Sequence, residues 1–209
     1  MAERRKPQIS SRKQPRQARA NDLVAAVLDA AIQVLRTDGA ARFTTARVAE
    51  RAGVSVGSLY QYFPNKAAIL FRLQSDEWRR TSAMLREILE DRGSTPVSRL
   101  RALTHAFLRS ECDEAEVRTA LADAAPLYRD APETAAAREA GSSVILAFMK
   151  EALPGRGGDE IRLASDLVEL TLTRVGSRFS ERPRTEREIS AFADAMADMF
   201  SAYVQFVAR

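Results

Sequence analysis

A stretch of 24 residues, 43–66, constrains the fold of this chain more than any other feature: FTTARVAERAGVSVGSLYQYFPNK. Two short helix-forming segments flank Gly53, which can adopt the positive φ that a tight turn between helices often needs. Val48 and Leu59 lie at inward positions of the two segments, and Ala49 and Ala52 are small enough to let the segments approach closely. The pattern predicts a helix-turn-helix.

The outward face of the second segment is small, polar and aromatic, with hardly any charge, whereas a merely solvated face usually carries Lys and Glu. It comprises Ser55, Val56, Gly57, Ser58, Tyr60, Gln61 and Tyr62. Short hydrogen-bonding groups and apolar groups suit base edges and thymine methyls in the major groove, and tyrosine hydroxyls can donate to phosphates. This face indicates a DNA reader. The alternative for Tyr60 is that it packs between helices.

Side chains at two neighbouring helix starts fit the same interpretation. Thr44 and Thr45 offer hydroxyls and backbone N–H groups to a phosphate, and Lys66 adds a positive charge. Charge along the whole chain agrees: residues 1–66 hold 12 Lys/Arg and five Asp/Glu, a net +7, against a net −3 in the remainder. This asymmetry predicts a polyanionic partner for the first third, with a solubilising tail as the alternative.

Residues 1–20 carry seven Lys/Arg, two prolines and almost no apolar side chains. Such a segment cannot pack, so we expect a flexible basic arm. It contacts the minor groove or phosphates, or else it is an unbound tail.

Apolar spacing of three and four, with capping and breaking residues, predicts helices elsewhere. Asn21 is the expected cap of the first helix, and Asp38-Gly39 its end. Nine helices result, at about 21–38, 44–52, 55–63, 66–91, 96–110, 114–124, 132–153, 159–179 and 185–207. Convincing period-2 alternation is missing, so the expected fold class is all-α. The expected domains are the arm (1–20), a helix-turn-helix domain (21–66) and a helical body (67–209).

Nothing in the sequence predicts a membrane partner or a secretory signal. No segment approaches the roughly 20 apolar residues of a membrane span, and no apolar stretch follows the basic N-terminus. The one cysteine, Cys112, fits a reducing compartment. We therefore expect a cytoplasmic protein.

The 43–66 stretch resembles the TetR-family pattern, in which T-x-x-[IV]-A-x-x-A-G-V-S precedes G-x-L-Y-x-Y-F-x-x-K. The likeness covers about residues 21–70 without a gap. It implies an all-α transcriptional regulator with a three-helix DNA-binding domain and a helical ligand-binding and dimerisation domain. Such a protein binds palindromic operator DNA as a homodimer, most often as a repressor, and a small-molecule effector releases it; activation stays an alternative.

By this resemblance, the DNA contacts are Thr44, Thr45, Ser55, Val56, Gly57, Ser58, Tyr60, Gln61, Tyr62 and Lys66. Arg47 is our addition, because it follows Ala46, where some relatives carry a base-reading arginine. Its alternative is an ordinary solvated residue. Val56 departs from a commonly polar position and suits a thymine methyl. We expect readout through Gly57, Ser58 and the tyrosines rather than through an arginine.

The last two predicted helices each carry two apolar stripes, such as Ile161/Ala164/Val168 beside Leu163/Leu167/Leu170 in the penultimate helix. Helices this widely apolar need partners on two sides, and a two-fold mate supplies the second. The expected interface residues are Leu167, Leu170, Arg174, Phe192, Met196, Met199, Phe200 and Tyr203. A single wide core face is the alternative.

An effector pocket is expected among the middle helices, with Trp78, Phe107, Leu108, Cys112, Tyr128, Phe148 and Met149 as candidate contacts or plain core residues. His105 is expected at the surface or the pocket rim. A lone His beside a lone Cys is a poor metal site, so we expect no metal or cofactor. One His, no Gly-rich phosphate loop and no paired carboxylates argue against an enzyme. A helical adaptor that has lost DNA binding is the remaining alternative.

Overall fold

The computed structural model describes residues 18–128 and 132–209, apart from the side chains of 18, 19, 132–138 and 140. Nine α-helices and one 3-10 turn, with no strand, make up these residues: α1 (Ala18–Arg42), α2 (Thr45–Arg51), α3 (Val56–Tyr62), α4 (Lys66–Leu89), α5 (Pro96–Asp113), α6 (Ala115–Ala124), the turn Ala125–Leu127, α7 (Pro132–Ala152), α8 (Gly158–Ser180) and α9 (Glu186–Val207). The predicted all-α class and the nine helices are confirmed.

The start of the first helix differs from the expectation. Asn21 was predicted as its cap but lies inside α1, which begins at Ala18. Alanine and arginine are strong helix formers, so residues 18–20 extend the helix beyond a usable cap. Gly39 does interrupt α1, with a φ of 71° that a side chain would disfavour. Of the predicted basic arm, residues 1–17 lie outside the described residues.

The other helix starts follow local capping chemistry. The Thr95 hydroxyl accepts a hydrogen bond from the backbone N–H of Ser98, with Pro96 in the first turn of α5. Thr185 caps α9 in the same way, and Glu188 Oε2 accepts a hydrogen bond from the Thr185 N–H at 2.8 Å. Accepting that bond holds the pKa of Glu188 below its usual range. These caps satisfy N–H groups that a helix end leaves without partners.

The chain divides into two compact units. The first is larger than the predicted helix-turn-helix domain of residues 21–66, which we call the reader. It contains α1 to α3, α4 as far as Glu77, and α6. Its apolar core joins Leu35, Val48 and Phe63 of the reader to Leu121 of α6. The predicted division at residue 66 therefore does not coincide with the division of the core. An ion pair between the buried Glu77 and the half-buried Arg118, at 3.0 Å, also links α4 to α6.

The second unit comprises residues 78–115 and 136–209. Its core is built from α5, α7, α8 and α9, with Leu85 and Leu89 from the end of α4. Gly176 lets α8 approach α5 closely, because a Cβ there would lie 3.2 Å from Phe107. No helix among the described residues is long and apolar enough to cross a membrane.

Candidate nucleic-acid interface

Local capping and one glycine set the geometry of the α2–α3 pair. The Thr44 hydroxyl accepts from the Arg47 N–H at 3.3 Å to begin α2, and Gly53 turns the chain with a φ of 67°. Ser55 begins α3 by accepting from the Ser58 N–H at 3.0 Å. Leu59 is fully buried on the inner side of α3. Each step follows from the local sequence, so this part of the prediction is confirmed.

The opposite side of α3 faces solvent. Val56 is 40% exposed and Tyr60 39% exposed, and Ser55, Gly57 and Gln61 are also exposed. Ser58 is half-buried, with its hydroxyl 2.8 Å from that of Ser55. Tyr60 is therefore not buried between helices, although its hydroxyl contacts α2. An exposed surface with hydroxyl, amide and apolar groups but no charge suits a major groove better than bulk water.

A hydrogen bond between hydroxyls ties the two helices together on this side. The Thr45 Oγ1 lies 3.1 Å from the Tyr60 Oη, and either can donate. Because the two residues lie on different helices, the bond fixes the direction of the tyrosine ring. Lys66, at the start of α4, is exposed as expected.

Tyr62 corrects the sequence analysis, which placed it on the outward face. It is only 8% exposed and belongs to the core of the first unit. Tyr62 is the last residue of α3, where the helical pattern gives no neighbour further along to fix which side is covered. A phosphate contact through its hydroxyl stays a prediction.

The arginines of α2 turn back toward α1. Arg47 Nη1 lies 2.8 Å from Asp38 Oδ2, and Arg51 Nη1 lies 3.3 Å from Gln33 Oε1. Arg47 is therefore more than an ordinary solvated residue. Asp38 was not predictable as its partner, because the two residues lie nine positions apart on different helices.

A second exposed surface, which we call the α8–α9 stripe, lies on the second unit. Leu170 is 58% exposed and Leu167, Arg174 and Met199 are exposed, while Phe192 and Tyr203 are half-buried. Leu163 and Phe206 are also exposed, although they were missing from the expected interface. They continue the same apolar spacing, which would have identified them.

Met196 and Phe200 do not belong to the α8–α9 stripe. Both are buried in the core of the second unit, so their prediction as interface residues is wrong. α9 carries apolar residues around most of its circumference. Helical spacing alone therefore could not separate its core side from its exposed side.

The structure does not bring the seven candidate effector contacts together. Phe107, Leu108, Phe148 and Met149 are buried in the core of the second unit, and Trp78 is half-buried. Tyr128 belongs instead to the core of the first unit, where its hydroxyl donates to the Leu121 carbonyl at 3.0 Å. A cleft of about 320 Å³ does exist in the second unit, but Phe148 alone of the seven lines it; the lining residues are Leu89, Glu90, Arg92, Val144, Ala147, Phe148 and Glu151.

The two lone groups noted from the sequence have separate surroundings. His105 Nε2 lies 3.0 Å from Asp194 Oδ1, on a partly exposed side of α5. Partial burial, with the negative charge of Asp113, raises the pKa of the Cys112 thiol. Within residues 18–128 and 132–209, no group of three or more His, Cys, Asp and Glu side chains is placed to hold a metal ion.

The fold and this surface define a class: a helix-turn-helix regulator whose helical body is a separate compact unit. Two family models agree. The model described as "Bacterial regulatory proteins, tetR family" matches residues 27–73, and "Tetracyclin repressor-like, C-terminal domain" matches residues 95–207. Because the second covers more than half of the chain, the protein belongs to the TetR family of transcriptional regulators, as the motif in 43–66 predicted.

Curated relatives match over part of their length. Nucleoid occlusion factor SlmA of Vibrio campbellii is 36% identical over 83 residues, 39% of this chain and 42% of that protein. The HTH-type transcriptional repressor KstR of Mycolicibacterium smegmatis is 39% identical over 85 residues, 40% of this chain and 41% of that protein. The chain thus spans less than half the length of these relatives.

Solved structures are similar over nearly the whole chain. The fatty acid degradation regulator FadR of Bacillus halodurans has a TM-score of 0.68 at 18% identity, covering 90% of this chain and 96% of that one. FadR of Bacillus subtilis, solved with stearoyl-CoA, has a TM-score of 0.66 at 16% identity, covering 85% and 97%. At these identities the likeness shows the fold alone.

Proposed function

We propose that this protein is a transcriptional repressor that binds palindromic operator DNA as a homodimer and leaves it when a small-molecule effector binds. The observation that carries the proposal is the exposed, uncharged side of α3, where Val56, Gly57 and Tyr60 face solvent. A surface of this chemistry reads base edges and thymine methyls, whereas a solvated surface would carry charges. Repression follows the partial likeness to KstR, which is named a repressor.

The α8–α9 stripe supports the homodimer. Leu163, Leu167 and Leu170 expose apolar surface that solvent alone would not favour, and Met199 and Phe206 add to it from α9. A two-fold copy of the same stripe would cover it in a self-complementary contact. The α3 helices of the two protomers would then read half-sites about 34–36 Å apart, or at another spacing that presents the same side of the duplex.

The proposed effector is a small molecule that binds the helical body. Its support is the FadR structure solved with stearoyl-CoA, which shares the fold with this chain. The cleft beside Phe148 and Arg92 is one place for a small molecule in the second unit. An effector that binds the DNA-free form more tightly than the DNA-bound form would shift the equilibrium toward release.

Selection of binding sites from random duplexes tests the proposal directly. We expect a palindromic consensus, and affinity for it should fall steeply with salt concentration because phosphate contacts release counterions. Tyr60→Phe and Lys66→Ala should each weaken binding several-fold. The thermal unfolding midpoint should stay unchanged in Lys66→Ala, whose side chain is exposed, and fall only slightly in Tyr60→Phe, which loses the exposed hydrogen bond to Thr45.

Lys150→Ala is the matched control for Lys66→Ala, because it removes an exposed lysine from α7 of the second unit. Its affinity for the selected DNA should equal that of the unmodified protein. A protein that enriches no sequence, or whose binding ignores salt, would contradict the proposal.

A further inference from the structure

Asp38 and Arg47 form an ion pair that joins the end of α1 to α2. Arg47 Nη1 donates to Asp38 Oδ2 at 2.8 Å, and both side chains are partly exposed. Asp38 directly precedes Gly39, whose φ of 71° ends the regular part of α1. The carboxylate therefore sits at a fixed bend of the backbone rather than on a free chain end.

The ion pair with Asp38 leaves other N–H donors of the Arg47 guanidinium available. A guanidinium carries five N–H donors in a planar fork, and Asp38 engages it through Nη1. Arg47 is nearly half exposed, at 47% of its side chain. It also follows Thr44 and Thr45, which belong to the proposed DNA contacts. An anion near this part of α2 can therefore meet an arginine that is already held in one orientation.

We propose that Asp38 is a positioning residue for DNA binding: it holds the guanidinium of Arg47 so that the remaining N–H donors meet a backbone phosphate. The inference rests on the proposed function, since it concerns the same DNA contact. A long side chain that is oriented before binding loses less conformational freedom on binding, which favours the complex. A phosphate oxygen can accept from Nη2 or Nε while Nη1 stays on the carboxylate.

Neutralising Asp38 should change DNA affinity in opposite directions, depending on whether the carboxylate positions Arg47 or only repels the phosphates. A carboxylate close to DNA repels the phosphates, so its neutralisation alone should strengthen binding. If Asp38 orients Arg47, its neutralisation should weaken binding instead. The direction of the change therefore separates positioning from repulsion.

Asp38→Asn tests the inference, because it removes the charge and keeps the size and shape of the side chain. We expect a threefold to tenfold weaker affinity for the selected duplex, with an unchanged thermal unfolding midpoint. Arg47→Ala should weaken binding by at least as much and lower the slope of log affinity against log salt by about one, the loss of one phosphate contact. In the Arg47→Ala background, Asp38→Asn should cause no further loss.

Asp29→Asn is the matched control, since Asp29 is exposed on the same helix. It should leave affinity unchanged or raise it slightly. The inference is overturned if Asp38→Asn leaves affinity unchanged or strengthens binding, if it weakens binding equally without Arg47, or if Arg47→Ala leaves the salt slope unchanged. Failure of the unmodified protein to bind any selected duplex would instead refute the proposed function, so the two failures are distinguishable.

Discussion

Gly57 lies on the exposed side of α3, where the lack of a side chain leaves the backbone open to close approach by DNA. A Cβ at this position would meet only the Ser55 hydroxyl, at 3.8 Å, which is an ordinary contact. The protein itself therefore has room for alanine. A glycine at such a place lets a ligand approach the backbone closely.

Gly57→Ala should accordingly separate DNA binding from folding. We expect affinity for the selected duplex to fall about tenfold, which corresponds to about 1.4 kcal/mol. The free energy of unfolding should stay the same or rise by up to about 1 kcal/mol, because alanine favours a helix over glycine. Fluorescence anisotropy and urea unfolding measure the two quantities.

Gly158→Ala is the matched control, because Gly158 is exposed at the start of α8 in the second unit. It should leave DNA affinity unchanged. Equal affinity of Gly57→Ala and the unmodified protein would show that the DNA does not approach this backbone.

Arg99 is a buried charge whose guanidinium contacts three other residues of the second unit. It is 2% exposed, stacks over the Phe148 ring at 5.3 Å, and donates through Nη1 to the Leu89 carbonyl at 2.6 Å. The Glu151 carboxylate accepts from both terminal nitrogens of this guanidinium. That hydrogen bonding, with the positive charges of Arg99 and Arg92, holds the pKa of Glu151 below its usual range.

This lowered pKa predicts a pH dependence of stability. A carboxyl whose pKa is lower in the folded state stabilises the protein above its unfolded pKa of about 4.3, and loses that effect as pH falls through the folded value. The difference in unfolding free energy between the unmodified protein and Glu151→Gln should be constant above about pH 5 and shrink below it. Urea unfolding between pH 7 and pH 3 measures this difference; one that grows with acidity would contradict the assignment.

At the scale of elements, α8 has apolar residues on two opposite sides. Ile161, Val168 and Leu172 are buried in the core, while Leu163 and Leu170 are exposed. At about 100° per residue, the exposed leucines lie roughly opposite the buried residues. The sequence predicted a second partner from this doubled pattern. The structure shows that the leucine stripe is the exposed one.

Leu170→Glu should disrupt the proposed homodimer without unfolding the chain, because Leu170 is exposed and contributes little to the core. A charge buried in an apolar interface without a partner is strongly unfavourable. We expect a shift from dimer to monomer in sedimentation equilibrium at micromolar concentration, and loss of binding to palindromic DNA. Binding to a single half-site should be less affected.

Ala83→Glu introduces the same charge at an exposed position of α4 and is the control. It should leave the oligomeric state unchanged. A dimer that persists in Leu170→Glu with an unaltered dissociation constant would argue that another surface forms the contact.

At the scale of the whole molecule, α6 shares a core with the DNA-reading helices. Leu121 and Ala124 of α6 are buried in the same cluster as Val48 and Leu59 of the reader. Tyr128, just after α6, packs against Phe71 of α4 with ring centroids 5.9 Å apart. Residues 116–128 therefore stabilise the reader although they follow its last residue by 50 positions or more along the chain.

Leu121→Ala should destabilise the reader from a distance in sequence. A fully buried leucine replaced by alanine typically costs about 2–5 kcal/mol, through lost burial and the cavity left behind. Hydrogen exchange should show reduced protection of α1 to α3 as well as of α6. Leu127→Ala, at a residue 36% exposed, is the control and should have little effect. Exchange that changes only within α6 would refute a shared core.

The reader was predictable because its determinants are local. Ser55 caps α3, Gly53 turns the chain, and small residues at fixed spacing bring the two helices together. Each of these depends on neighbours within a few positions. Tyr62 was the exception, because its environment comes from the rest of the first unit rather than from α3.

The sequence by itself determined the all-α class, the positions of the helices, the family and most of the exposed side of α3. Only the tertiary structure decided which apolar stripe of α8 and α9 is buried, that Met196 and Phe200 belong to the core, that Tyr128 lies in a different unit from Phe148, and that Asp38 holds Arg47. The physical reason is the distance along the chain over which each kind of interaction acts. Helix formation and capping depend on residues within about one turn, whereas burial and ion pairing depend on segments that meet only after folding.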